Sequence, residues 1–355
     1  MLVPTIRGMS RSAQSIPLLR TELTLADERA VRQQLARQPF QDDPLLGQWE
    51  ATWEGAWQRA ALAFADPAEL MLTMKRLLGW QDGDWIGVDP LLDPAWVEAL
   101  AANWLHTAWR DVEPHTGQGR GAFVTPPAVA DRLRAGFCQH PFGLPAAKPM
   151  TGEPPCWLEE ISAVLSPLAG CGWGDIQLLH LTGNRMVAAG GSCLLLSRDE
   201  TLVRQLRTLR HHPPSPMACA LGLSQWGSLE ERLLRRQQLA ERYRMLRGDG
   251  CFQRPPEGER AWEMFVLSMS SVDGCLDLQD FLHASHIRAS SPLWFQPNLG
   301  QPLPLCLSGW SHFQQHALAV PLYASLVDSE HKRIINRVNR WVGRGRSSTR
   351  TSMSP

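Results

Sequence analysis

The sequence predicts an α/β fold, in which a large domain built on a mainly parallel sheet is followed by a smaller α+β domain. Short apolar runs at 60–64 and 84–88 flank a helical stretch, and this strand–helix–strand order is typical of parallel sheets. More short apolar runs alternate with helical patterns as far as residue 196. A chain of 355 residues with 44% hydrophobic content can bury the core that such a fold requires.

Composition narrows the classes of partner. The 35 basic and 35 acidic side chains cancel, so no overall field favours nucleic acid or an anionic membrane as the main partner. No run approaches the roughly 20 apolar residues of a membrane-spanning helix, and the start lacks the apolar segment of a signal peptide. We therefore expect a cytoplasmic protein. Its eight cysteines are scattered without a C-x-x-C pair, which favours reduced buried thiols over disulfides or a zinc site.

The predicted elements follow from capping residues and apolar patterns. Thr24 can cap a helix near the start of the chain. Strands beyond the first two are predicted at 122–125, 134–138, 156–159, 176–179 and 193–196. One long helix is predicted from Leu223 to Tyr243, because the apolar residues form a single stripe there. A final helix begins near Asp328 and is expected to end at Gly343.

These elements divide the chain into three predicted parts. The large domain spans 1–247 and includes both the N-terminal helix and the long helix, which would join the two domains. The smaller α+β domain spans 248–342. Residues 343–355 are mostly Gly, Ser, Thr and Arg, a composition that predicts a flexible basic tail.

Several segments share the pattern of one enzyme family. The four clearest are 202–210 (LVRQLRTLR), 220–243 (ALGLSQ leading to AERY), 262–266 (WEMFV) and 320–326 (VPLYASL). Weaker matches extend the pattern towards the start of the chain, at 16–19 (IPLL) and 83–86 (GDWI). Together they resemble the DegT-type (DegT/DnrJ/StrS) sugar aminotransferases. The resemblance implies a three-layer, fold-type-I domain that uses pyridoxal phosphate, acts on nucleotide-linked keto sugars and forms dimers.

The family lysine is missing at the matching position. In the family a lysine in a segment like H-x-S-K-N, followed by a glycine pair, forms the Schiff base with the cofactor. Here His180-Leu-Thr-Gly-Asn and the later Gly190-Gly191 match this pattern without a gap. Gly183 therefore stands at the lysine position, between Thr182 and Asn184. The chain is interpreted as a degenerate member of the family.

No other amine is placed to substitute for that lysine. Arg185 is close in sequence, but a guanidinium stays protonated and cannot form the imine. The three lysines of the chain, Lys75, Lys148 and Lys332, stand beside no motif that would aim them at a cofactor. The sequence therefore predicts that no cofactor is bound.

The other cofactor contacts that the resemblance implies are also altered. The family's E-D-x-x-Q motif, whose aspartate contacts the pyridine nitrogen, matches a segment in which Glu160 is the acid and the glutamine is absent. Its phosphate-binding S-G-T matches Ala65-Asp66-Pro67, where the proline lacks an N–H donor and Asp66 repels phosphate. The Y-N-x-R segment, which reaches the neighbouring subunit's phosphate, is missing between 211 and 218. The predicted ancestral cleft consists of Ala65, Asp66, Pro67, Glu160, His180, Thr182 and Asn184.

Structural interpretations compete with functional ones at several of these residues. His180 is interpreted as a hydrogen-bonded structural histidine, because no nucleophile or second acid stands beside it in sequence. Glu160 is interpreted as a remnant at a strand end. The adjacent pair His211-His212 predicts no metal site, since neighbouring residues rarely point to one centre. The chain also lacks the phosphate-loop, G-x-S-x-G and H-E-x-x-H motifs.

These observations predict a catalytically inactive, sugar-aminotransferase-like protein. It would act as a binding, regulatory or heteromer partner in nucleotide-sugar or cell-surface polysaccharide metabolism. It would form a homodimer, or a heterodimer with an aminotransferase-family relative, and could bind a nucleotide sugar. Two alternatives stay open: an active transaminase that uses an unrecognised lysine, and a lysine-free enzyme that uses the old cleft for another reaction.

Overall fold

An eight-stranded sheet lies at the centre of the larger part of the protein. The computed structural model describes residues 15–37, 44–148, 154–168, 170–183, 185–248, 250–292 and 307–351, with side chains as far as residue 344. The strands are β1 (Ala60–Phe64), β2 (Trp85–Val88), β3 (His106–Val112), β4 (Gly119–Val124), β5 (Leu133–Gln139), β6 (Trp157–Glu160), β7 (Ile176–Leu181) and β8 (Ser192–Ser197). Their order across the sheet is β1-β8-β7-β6-β5-β2-β3-β4.

The central strands of this sheet are parallel. Strands β7, β6, β5, β2 and β3 run side by side in one direction. Strand β8 is antiparallel to both β7 and β1, and β4 is antiparallel to β3. The predicted α/β class with a mainly parallel sheet is therefore confirmed. The runs at 60–64 and 84–88 are both strands, but they lie apart in the sheet, because β1 pairs with β8 at the far edge.

Ten helices surround the sheets within the described residues. They are α1 (Leu25–Leu35), α2 (Leu45–Trp57), α3 (Pro67–Leu78), α4 (Pro94–Ala102), α5 (Glu200–Leu209), α6 (Pro216–Trp226), α7 (Leu229–Arg242), α8 (Val272–His283), α9 (Ser308–His316) and α10 (Asp328–Thr351). Side-chain oxygens accept hydrogen bonds from first-turn N–H groups at the start of several of them, including Thr24 in α1, Asp66 in α3 and Asp93 in α4.

The larger part of the protein has three layers. Strand β1 alternates small and large apolar residues, so its two faces differ. Leu62 and Phe64 belong to a buried cluster with apolar side chains of α3 and α4, whereas Ala61 and Ala63 belong to a cluster with the tryptophans of α2. Strands β6, β7 and β8 are buried along their whole length, as expected for a sheet that helices cover on both faces.

A second, three-stranded antiparallel sheet follows. It consists of β9 (Phe252–Gln253), β10 (Phe265–Met269) and β11 (Ala317–Val320) in the order β11-β10-β9. Helices α8 and α10 pack on it through a separate apolar cluster. The predicted boundary at residue 247 falls between the two sheets, and the division into domains stays a prediction.

Two helix predictions were wrong. The stretch from Leu223 to Tyr243 is not one helix, because α6 ends at Trp226 and α7 begins at Leu229. Leu223 and Trp226 of α6 join the same apolar cluster as Leu229 and Leu233 of α7, so the apolar pattern runs on through the break. The last helix does not end at Gly343, since the backbone of α10 continues to Thr351. Gly343 and Gly345 each cost a helix only about 1 kcal/mol, and the arginines beside them are good helix formers.

Within the described part of the chain, none of the helices combines the length and apolar character needed to cross a membrane.

Candidate functional site

A cleft of about 320 Å³ lies where four parallel strands end. Strands β2, β5, β6 and β7 are neighbours with the same direction, so the residues that follow them meet at one edge of the sheet. The cleft is lined by Pro90, Leu91, Leu92, Asp93, Pro94, Gln139, His140, Pro141, Phe142, Glu160, Ala163, Thr182, Arg185, Glu263 and Pro292. Most of these come from the strand ends, and Glu263 comes from the segment before β10.

The topology explains why a cleft forms at this place. From β2 the chain moves outward to β3 and β4, and then returns to β5 on the other side of β2. It continues in that opposite direction through β6 and β7. Open α/β sheets bind their ligands where the strand order reverses in this way, at the carboxyl ends of the strands.

Arg185 joins three carboxyl groups inside the cleft. Its Nη1 donates to Oε1 of Glu263 at 2.7 Å and its Nη2 donates to Oδ2 of Asp93 at 3.0 Å. An oxygen of Glu160 lies 4.0 Å from the same guanidinium. The three acids come from separate parts of the chain, and the guanidinium is largely buried among them.

Burial and charge act differently on these groups. Burial raises the pKa of Glu160 above its usual range, although Arg185 opposes the change. Burial would also raise the pKa of Asp93, but the hydrogen bond from His180 and the charge of Arg185 hold it well below its usual range. Burial alone would lower the pKa of Arg185, yet Glu263, Glu160 and Asp93 raise it. At neutral pH the cleft therefore contains a permanent cation and an ionised Asp93, beside a carboxyl group at Glu160 whose pKa burial raises.

A chain of hydrogen bonds connects these acids to the sheet. Nδ1 of His180 lies 3.1 Å from Oδ2 of Asp93, which can only accept, so the imidazole donates. The backbone N–H of His180 donates to Oγ of Ser162 at 2.7 Å, and that hydroxyl donates to Glu160. His180 thus positions Asp93.

A further acid, Glu159, lies behind the cleft, and both of its carboxylate oxygens accept hydrogen bonds. Glu159 accepts from Nε2 of His140 at 3.0 Å, from the N–H groups of Gly172 and Gly174 at 2.6 and 2.8 Å, and from Gln177. His140, Glu159 and Cys171 are close enough to hold a metal ion. Nδ1 of His140, however, already accepts from a backbone N–H at 2.8 Å, and burial raises the pKa of Cys171 to about 12. These groups therefore form a structural network.

The structure brings only some of the sequence-predicted residues to the cleft. Glu160 and Thr182 line it, and His180 contacts its wall through Asp93. Gly183 follows directly, with its carbonyl oxygen accepting from Oγ1 of Thr21 at 2.9 Å. A Cβ atom added at Gly183 would meet nothing within 4 Å, so the backbone itself does not demand glycine there. Asn184 lies outside the described residues.

The segment that matches the family's phosphate-binding motif does not line the cleft. Ala65 to Pro67 join β1 to α3, where Oδ1 of Asp66 accepts from the N–H of Glu69 at 2.9 Å and Pro67 is the first helical residue. The N-terminus of α3 is thus capped by the carboxylate of the chain itself. An anion would have to displace this cap.

None of the three lysines lines the cleft, and all three fall within the described residues. Nζ of Lys75 donates to Asp82 and to the carbonyl of Asn103 at 2.7 Å, at the opposite end of α3. Lys148 and Lys332 are exposed, the second of them on α10.

Sequence reasoning missed two of the three acids around Arg185, Asp93 and Glu263. Asp93 was recognisable, since it follows a buried parallel strand and precedes a proline at a helix start, a position typical of ligand-binding side chains. Glu263 carries no such signal, because its approach to Arg185 depends on how the second sheet packs against the first.

The fold has clear relatives among solved structures. No protein-family model matches this chain, and neither does any curated protein sequence. The sugar aminotransferase CalS13 from Micromonospora echinospora is 15% identical, with a TM-score of 0.76 over 92% of this chain and 99% of that chain. A DegT DnrJ EryC1 StrS aminotransferase from Brucella abortus is 15% identical, with a TM-score of 0.73 over 89% of this chain and 95% of that chain.

A third similar structure bears on the cofactor. Spr1654 from Streptococcus pneumoniae, in its PLP-form, is 13% identical, with a TM-score of 0.78 over 93% of this chain and 99% of that chain. The same protein has a PMP-form. The expectation that no cofactor is bound is wrong by this comparison, since a structure of this fold contains pyridoxal phosphate. At these identities the likeness establishes the fold, and the fold of this chain is that of the sugar aminotransferases.

Proposed function

We propose that this protein binds a sugar ligand without transaminating it and acts as a binding or regulatory partner in nucleotide-sugar or cell-surface polysaccharide metabolism. One observation carries the proposal. Gly183 stands where the family has its lysine, and the basic side chain that reaches the cleft is Arg185, which its acids hold as a permanent cation. A guanidinium in that state cannot form an imine.

The proposal includes a pyridoxal-type cofactor that is held without a covalent bond. The volume of the cleft and the buried carboxyl group of Glu160 are compatible with a pyridine ring, whose nitrogen can form a hydrogen bond with such a group. Covalent attachment does not fit the described residues, because no lysine lines the cleft. Phosphate at the start of α3 does not fit either, since Asp66 caps that helix. The described residues therefore supply no catalytic step through this group.

The polar lining suits the hydroxyl groups of a sugar. Ionised Asp93 and the carboxylate of Glu263 accept hydrogen bonds, and Gln139 and Thr182 can both donate and accept. Leu91 and Phe142 add apolar surface for the face of a sugar ring. We propose a nucleotide sugar as the ligand, and a second copy or an aminotransferase-family relative as the partner, in the cytoplasm.

Reductive trapping tests the central claim. Protein mixed with pyridoxal phosphate and treated with borohydride should give no stoichiometric adduct by mass spectrometry. The matched control is Gly183→Lys, for which the structure leaves room; this variant should gain a trapped adduct at residue 183. A stoichiometric adduct at Lys75, Lys148 or Lys332 in the wild-type protein would instead support the active transaminase, with which the fold likeness is equally compatible.

Ligand binding tests the second half of the proposal. Thermal unfolding should shift upward with one or more nucleotide sugars, and the shift should shrink in an Asp93→Asn variant, which keeps the size of the side chain but removes its charge. A flat response of the wild-type protein across a set of nucleotide sugars would contradict the binding role.

A further inference from the structure

The carboxyl groups in the cleft outnumber its cations. Asp93, Glu160 and Glu263 all line it. Among the described lining residues, only Arg185 has a permanently charged basic side chain. His140 lines the cleft as well, but its Nδ1 accepts from a backbone N–H at 2.8 Å while its Nε2 donates to the acid behind it, so its ring is neutral. One guanidinium therefore faces three carboxyl groups.

Two of these acids have an oxygen that no group of the described structure uses. Oε1 of Glu263 accepts from Arg185, and Oε1 of Glu160 accepts from Ser162. Within the described residues, the Oε2 atom of each glutamate accepts no hydrogen bond, and neither Oε2 is among the polar atoms sealed from solvent. Since Glu160 is only 2% exposed and Glu263 only 5%, the open part of each side chain faces the cleft that both line.

Both glutamates lie beside the same guanidinium. Nη1 of Arg185 is 2.7 Å from Oε1 of Glu263, and its Nη2 is 4.0 Å from Oε1 of Glu160. A small cation that reaches either free oxygen therefore lies within the electrostatic field of both carboxyl groups. A hydroxyl group can donate to such an oxygen, but an ammonium group also supplies the missing positive charge. Hydrogen bonds between charged groups are roughly twice as strong as those between neutral groups.

We propose that Glu160 and Glu263 recognise a primary ammonium group of the ligand, so that the cleft selects an amino sugar over the corresponding neutral sugar. This inference rests on the proposed function, since it names the chemical group by which the same cleft distinguishes its sugar ligands. The ammonium group donates to one free Oε2 and is attracted by the charge of the other carboxyl group. Where a pyridine ring occupies Glu160, Oε2 of Glu263 remains for the ammonium group. The same acids repel phosphate, so the sugar of a nucleotide sugar reaches them and its diphosphate does not.

Three matched probes test this selection on the full chain: UDP-glucosamine, UDP-glucose and UDP-N-acetylglucosamine. At one position of the sugar they carry an ammonium group, a hydroxyl group and an uncharged acetylated nitrogen. In mildly acidic buffer, where the amine is protonated, calorimetry should show that UDP-glucosamine binds about tenfold more tightly than the other two, or better. Equal affinity for UDP-glucosamine and UDP-glucose overturns this inference and leaves the proposed function standing. Absence of binding by all three contradicts both.

Variants of the two acids test whether they carry the preference. Glu160→Gln and Glu263→Gln keep the shape of the side chain and remove its charge, so each should weaken binding of UDP-glucosamine by about tenfold and leave that of UDP-glucose unchanged. Retained binding of UDP-glucose also shows that a variant is folded. The matched control, Glu257→Gln, removes an exposed carboxylate that does not line the cleft and should keep the wild-type preference. The inference fails if both cleft variants keep that preference, or if the control loses it.

Discussion

At the scale of residues, Arg185 is the cation that balances the acidic groups of the cleft. Its guanidinium neutralises acids that come from the start of α4, the end of β6 and the segment before β10. Removing one partner of a buried ionic group costs more than the group contributes, because the remaining charges are left without compensation. The same arginine therefore links the carboxyl ends of the parallel strands to the segment before β10.

We expect Arg185→Met to lower the free energy of unfolding by about 3 kcal/mol or more, because Asp93 and Glu263 would be left buried without their cation. Urea unfolding at pH 7 measures this. The control is Arg185→Met/Glu263→Gln, which also removes one of the stranded charges and should recover part of the loss. A single variant within about 1 kcal/mol of the wild-type protein would contradict the role given to this network.

At the scale of elements, α9 packs so closely on β3 that a side chain has no room at Gly309. The N–H groups of Gly309 and Trp310 both donate to Asp111 at 2.9 Å. A Cβ atom on Gly309 would lie 1.9 Å from the carbonyl oxygen of Val112, a distance that forces backbone to move. This approach places His312 and His316 beside the β3–β4 connection.

Alanine substitutions at two helical glycines should therefore have opposite effects. We expect Gly309→Ala to lower the free energy of unfolding by about 2 kcal/mol or more, because α9 must lift away from β3. Gly55→Ala, inside α2, meets nothing within 4 Å and should raise it by about 1 kcal/mol through helix propensity. Thermal and urea unfolding of both variants measure the difference. Equal effects would contradict the close approach of α9 to β3.

The elements also show how far the sequence predicts the structure. Local patterns are sufficient for β5, β7 and β8, whose apolar runs appear directly in the sequence. Strand β3 was not predicted, because Arg110 interrupts its apolar pattern. That arginine is buried in the structure, where it lies 3.5 Å from the equally buried Asp89. Such pairing depends on tertiary contacts between strands, and no single segment carries a signal for it.

The residues of the candidate site also fall into two groups: those that the sequence predicts and those that depend on tertiary contacts. Glu160 and Thr182 were predicted, because each lies in a segment that matches a motif of the family that the sequence resembles. The contact between Arg185 and Glu263 joins residues 78 positions apart and arises only when β10 packs beside the cleft. Residues in segments that match a family motif are thus predictable, and residues that act across the two sheets are not.

At the scale of the whole molecule, contacts with α7 join the long C-terminal helix α10 to the rest of the protein. Arg235 and Arg242 of α7 each lie 2.6 Å from Oδ1 of Asp328 at the start of α10. Tyr243 follows α7 directly, and its ring packs edge-to-face on His331 of α10 at 4.3 Å. His331 is 1% exposed, and its Nε2 is buried without a partner. The joint between these helices therefore contains a histidine that must stay neutral.

This buried histidine should make the whole molecule sensitive to mild acid. Burial, together with Arg242 and Arg235, lowers the pKa of His331 to about 4 from an ordinary value of 6.5. The unfolded chain then binds a proton that the folded protein does not bind, so stability is full above pH 6.5 and falls as the pH drops towards 4. At pH 5 the loss from this one group is about 2 kcal/mol relative to pH 7.

Replacement by a residue that does not titrate tests the assignment. In His331→Gln, the difference in the free energy of unfolding between pH 7 and pH 5 should be smaller than in the wild-type protein by about 2 kcal/mol. Urea unfolding at intervals between these pH values measures it. The exposed-histidine variant His211→Gln should keep the wild-type pH dependence. If His331→Gln loses stability in acid as steeply as the wild-type protein, the acid sensitivity arises from other groups, and the α7–α10 joint does not control it.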